Sequence, residues 1–118
     1  MTHLVNLTTH PVTVYAGDTP IASWPPSGRF ARAREARESL GTVSTDQGPI
    51  PLIAVRYTSD LIDLPEEAPG TAYIVSRVLA ERVPRGDLYF PVDDVRDEQG
   101  RIVGCRGLGR FEAGSDAD

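Results

Sequence analysis

The chain has 118 residues and a mass of 12.8 kDa, room for one compact body, with 40% hydrophobic and 25% charged residues. Ten prolines and eleven glycines exceed the usual combined share of roughly 12%, which argues for short elements and many turns and against a helical bundle. The net charge is −5, and without the three carboxylates of the acidic 112–118 tail the remainder stands at −2, so a grip on long nucleic acid through clustered phosphate contacts is not expected.

In chain order, Leu4 to Leu7 and Val12 to Tyr15 are short, alternating and rich in β-branched residues, and they predict two strands separated at Pro11. Gly17-Asp18-Thr19-Pro20 is a turn, and Ile21 to Trp24 a third strand. Pro25-Pro26-Ser27-Gly28 is a firm break. Phe30 to Leu40 is rich in Ala, Arg and Glu, and propensity favours helix there; the alternation of Ala31 and Ala33 with Arg32 and Arg34 leaves a strand open. Leu52 to Tyr57 reads as an apolar strand whose preceding prolines suit an edge start, and Ala72 to Val75 as a buried strand. Ser76 caps a helix to about Val83 with Val78, Leu79 and Val83 on its apolar face, ended by Pro84 and Gly86. Leu88 to Phe90 is a short strand, and Val95 to Arg106 a hairpin turning at Glu98-Gln99-Gly100. These elements predict a single α+β domain over 1–111, dominated by a strongly bent antiparallel sheet or partial barrel with one main helix, followed by a disordered tail at 112–118.

All twelve basic residues are Arg. Every cation is thus a planar fork suited to phosphate or carboxylate, and none is an amine nucleophile. Arg56 interrupts an apolar strand, while Arg106 and Arg110 lie in Gly104-Cys105-Arg106-Gly107-Leu108-Gly109-Arg110, where glycines allow backbone to approach an anion. The alternative is that the glycines mark bulges and the arginines pair with nearby Asp. If Leu4 to His10 stays extended, Asn6, Thr8 and His10 emerge on one face, either as a polar ligand wall with His10 as a base, or as a solvated surface. Glu66, Glu67, Asp93, Asp94, Asp97 and Glu98 are candidate paired carboxylates or solvated loops, and Arg85-Gly86-Asp87 is a turn. Cys105 is the only cysteine and His3 and His10 the only histidines; no disulfide, no metal and no cofactor are expected, and the thiol count suits a reducing cytoplasm. No apolar stretch approaches the ~18 residues of a membrane span, and no signal segment is expected.

Asn6-Leu7-Thr8 with His10-Pro11-Val12, Pro25-Pro26-Ser27-Gly28 before Ala31-Arg32, Leu64-Pro65, Gly70-Thr71-Ala72-Tyr73-Ile74-Val75-Ser76, and Val95-Arg96-Asp97-Glu98 with Gly100-Arg101-Ile102-Val103-Gly104-Cys105-Arg106 resemble a family of small phage and prophage proteins. That group is in turn similar to the first Thoeris anti-defence family of oligomeric, β-rich sponges, which hold cyclic nucleotide or cyclic ADP-ribose signals without cleaving them. The resemblance implies phosphate-binding roles for Arg56 and Arg106, base contact near Val78 and Leu88, a homo-oligomer and a bacterial cytoplasmic location. It also tips Phe30 to Glu38 towards strand. Thr9 stands where proline is common, and Asn6 is the only asparagine, so a family contact made by a later Asn amide has no Asn counterpart here. The resulting expectation is a non-catalytic binder of a small cyclic nucleotide, with Asn6, Thr8, His10, Arg56, Val78, Leu88, Arg106 and Arg110 at its site. The alternatives are a nucleotide-cleaving enzyme using His10 or a carboxylate, and a protein-interaction module with no small-molecule site.

Overall fold

A computed structural model describes residues 1–112. Strands dominate, with a single short helix and a sheet curled into a half-barrel. The described residues divide into two compact units, one of 1–32 with 63–112 and one of Ala33–Ile62. We call them the body and the hairpin.

In the body, β1 (His3–Asn6), β2 (Val12–Ala16) and β3 (Thr19–Trp24) precede the hairpin. After it come β6 (Thr71–Ile74), α1 (Arg77–Arg82), β7 (Leu88–Arg96) and β8 (Ile102–Gly109). The six strands are ordered β1-β6-β7-β8-β2-β3. The sheet is mixed: β1–β6, β6–β7 and β2–β8 run parallel, and β2–β3 and β7–β8 antiparallel. Local hairpins are what turn chemistry reveals, whereas β1–β6 and β2–β8 join segments far apart in sequence and β6–β7 is made across α1, none of them marked by a tight turn. Register shifts at Val14/Tyr15 and Val95/Arg96 add local twist of the kind that bends a sheet.

The inner face is apolar. Leu7, Ile74, Val75 and Leu88 are fully buried, and Val12, Val14, Ile74 and Cys105 form a cluster against which Leu4, Trp24 and Leu108 pack. Helix α1 begins where Ser76 accepts a hydrogen bond from the Leu79 N–H at 3.2 Å, as a capping serine should. It buries Leu79 and Ala80, while Val78 is 53% exposed.

The hairpin consists of β4 (Arg32–Thr45) and β5 (Gly48–Ile62), which pair only with each other. The helix that propensity favours over Phe30 to Leu40 is therefore absent. An extended β4 pairs its backbone with β5, and that ladder outweighs the few tenths of a kcal/mol per residue by which Ala, Arg and Glu prefer helix. The turn is set by Thr45, whose hydroxyl donates to the Gly48 carbonyl at 2.7 Å and accepts from the Gln47 N–H at 3.0 Å. Gly48 takes a φ of +107° there.

Candidate functional site

Asn6, Thr8 and His10 come together, but to hold one another. The Asn6 amide donates to the His10 carbonyl at 2.8 Å and to the Trp24 carbonyl at 2.9 Å. Its Oδ1 accepts from the Thr8 N–H at 2.9 Å and the Thr8 hydroxyl at 2.7 Å. Asn6 is 2% exposed, and both of its donors and both acceptor sites are used. It ties the end of β1 to the end of β3, the two edge strands of the curled sheet. The expectation of a ligand wall is corrected for Asn6 and Thr8: their polar atoms are spent on this clasp. Only the His10 side chain stays exposed.

Leu88 is also corrected. It is 1% exposed and sits opposite Tyr73 across the β6–β7 pairing, so it is core and unavailable to a base. The late arginines are individually engaged. Arg106 Nη1 donates to the Gly17 carbonyl at 2.9 Å, bracing the β2–β3 turn. Arg110 pairs with Glu112 at 2.7 Å, which holds its guanidinium pKa above the usual value. Arg101 pairs with Asp97 at 3.0 Å. The Gly104 and Gly109 backbones approach protein, not ligand. A Cβ on Gly104 meets the Thr13 carbonyl at 2.6 Å and the Tyr15 ring, and one on Gly109 meets Val92 at 2.7 Å and the Phe90 ring. Neither has a positive φ, so the glycines make room for side chains packed across the strands.

Two contacts were missed in the sequence. Arg85 grips Asp87 with both fork arms, at 2.9 and 2.7 Å, and reaches the Pro65 carbonyl at 2.9 Å. The Arg-Gly-Asp turn thus bonds to itself, and the Asp87 hydrogen bond raises the Arg85 pKa. Arg77 lies over Phe90 and Phe111, 5.2 and 5.5 Å from their ring centres, holding Phe111 against the core. An arginine stacked on two rings so far apart in sequence has no spacing signature. Cys105 is 2% exposed and its thiol is pushed up in pKa by burial.

One concavity of the body, about 770 Å³, opens where β2 and β8 meet at the pairing Val14–Cys105. Pro11, Val12, Pro91, Ile102 and Val103 supply its apolar lining, with His10, Asp94 and the buried Cys105 as its titratable residues. An acidic group and no arginine do not suit a phosphate. Another, about 420 Å³, lies between α1 and residues 110–112 and includes Arg85 and Arg110, both already paired with carboxylates. Among the described residues no group of three or more His, Cys, Asp or Glu could hold a metal ion, and no helix is long and apolar enough to cross a membrane.

The hairpin carries a different kind of surface. On β4, Leu40 and Val43 are exposed, and on β5 so are Ile50, Leu52, Ile53, Val55, Tyr57 and Leu61, all between 41 and 56%. Alternation puts Ile50 and Leu52 on one face of β5 and Ile53, Val55, Tyr57 and Leu61 on the other. A sheet with one solvated side shows apolar and polar residues in turn; β5 is apolar on both sides. Arg56 is exposed on this strand, and none of the carboxylate pairings of the described residues involves it. The chain matches no family model, no curated protein and no solved structure.

Proposed function

We propose that the chain is a protein-interaction module whose contact element is the hairpin 33–62. The observation that carries this reading is the exposure of apolar side chains on both faces of β5. A lone two-stranded hairpin is marginally stable in water and needs a covered face. Contiguous exposed apolar surface of this extent marks an interaction site on a folded protein. A photo-crosslinking residue placed at Val55 is expected to give discrete covalent adducts in cells, and one at the exposed turn residue Asp18 none. No adduct from Ile53, Val55 or Leu61 would sink the reading.

Sequestration of a small anionic ligand such as a cyclic nucleotide is a second reading. It is favoured by one observation, the exposed Arg56 fork with no carboxylate partner among the described residues. Heating the protein after incubation with a cyclic nucleotide panel is expected to release intact ligand, and Arg56→Ala to lower the amount held. A cleaved product would point instead to an enzyme.

A further inference from the structure

We infer that the concavity bordered by β2, β7 and β8 is a binding site for a small organic cation, an ammonium group carried on an apolar body. The site lies wholly within the body and is independent of the reading of the hairpin as the contact element.

Shape is the first ground. The groove opens on the N-terminal side of the Val14–Cys105 pairing, between Val12 and Thr13 of β2 and Ile102, Val103 and Gly104 of β8. Its volume of about 770 Å³ falls within the roughly 300–1,000 Å³ of small-molecule sites. Pro11 and Pro91, whose φ is fixed by the ring, stand in its wall. Gly104 is held so close to the Thr13 carbonyl and the Tyr15 ring that no side chain fits there. Walls of this kind are set before a ligand arrives, which spares the entropy of ordering them. Ile102 and Val103 are exposed in the groove, so an apolar ligand gains by covering them.

Charge selects the ligand. On β7 the alternate positions Leu88 and Phe90 are buried, and the same alternation reaches Asp94, which pairs across the strands with the buried Cys105. Its carboxylate joins burial in raising the Cys105 thiol pKa. None of the ion pairs of the described residues involves Asp94. The arginines along this part of the chain are engaged elsewhere, Arg96 with the Gly100 carbonyl, Arg101 with Asp97 and Arg106 with the Gly17 carbonyl, and none of them lines the groove. An apolar groove with one carboxylate lacking a cation is complementary to a positive head on an apolar body, and it repels an anion. His10, in the same lining, adds a ring nitrogen that accepts an ammonium N–H when the imidazole is neutral.

The test titrates the isotope-labelled full chain with phenethylammonium, and with phenethyl alcohol and phenylacetate as its neutral and anionic counterparts, following the amide signals by NMR. The ammonium is expected to shift the amides of Thr13, Val103, Gly104 and Cys105, and to bind about fivefold tighter than the alcohol and tighter still than the carboxylate. Asp94→Asn, at an exposed position, is expected to erase that preference and leave the rest of the spectrum in place. Val103→Ser, which removes apolar lining, is expected to weaken the ammonium and the alcohol alike. Absence of shifts at these amides with millimolar ammonium, equal binding of the three probes, or a preference that survives Asp94→Asn overturns the inference.

Discussion

Asn6 shows how one buried amide can fix the curvature of a sheet. Its four hydrogen bonds link the 6–10 turn to Trp24, and no apolar side chain of similar size can replace them. Asn6→Ala strands the Trp24 carbonyl and leaves a void, and is expected to cost about 2–4 kcal/mol, read as an earlier urea midpoint in Trp24 emission. Alternation would put Asn6, Thr8 and His10 on one face of an extended strand, but β1 ends at Asn6 and the chain bends at 8–10, which is what lets the Asn6 amide reach Thr8 and the His10 carbonyl. The arginines were opaque for a similar reason. Their suitability for anions is a property of residue type, whereas Arg106 on Gly17 and Arg110 on Glu112 are settled by which strand ends meet.

The β7–β8 hairpin is the element most fully legible in advance, because its turn is written in adjacent residues. Asp97 accepts from the Gln99 and Arg101 N–H groups, each at 2.9 Å, and from Arg101 Nε at 3.0 Å. These bonds, led by the Arg101 backbone, lower its pKa below the ordinary 3.8. A depressed carboxyl contributes stability that is present above the unfolded value of about 3.9 and lost as the pH falls through the folded one. An NMR titration is expected to place the Asp97 midpoint below that of a free aspartate, and Asp97→Asn to flatten stability against pH in the acid range. A midpoint at or above 3.9 would refute the assignment. The 33–62 hairpin was only half legible: the apolar 52–57 run and its prolines announced a strand, but its reach from Gly48 to Ile62 and the extended state of Arg32–Thr45 depend on a ladder between two segments, neither of which has strong strand propensity along its whole length.

For the whole molecule, the chain leaves the body at Arg32 and returns at Asp63, and these two residues are 3.6 Å apart as an exposed ion pair. The body's core residues all lie outside 33–62. Replacing 34–61 by a short Gly-Ser turn is therefore expected to leave a body that unfolds cooperatively with native Trp24 emission. Loss of that transition would mean the hairpin is part of the fold. The β-rich class with one helix was readable from turns and β-branched runs. The strand order was not, because β1–β6, β6–β7 and β2–β8 are decided by burial of Ile74, Leu88 and Cys105 and not by any local turn.

That strand order also has a consequence during synthesis. The first three strands occupy the two margins of the sheet, and the middle is supplied by residues 71 to 109. On the ribosome, β1 and the β2–β3 pair must wait for residues 71 to 109 to emerge before they have a surface to join. Meanwhile the greasy stretch around residues 50–57 is already outside, guarded against premature strand addition by Pro49 and Pro51. Closure of the half-barrel thereby follows the release of β8, and holdase chaperones have their longest opportunity to engage before it.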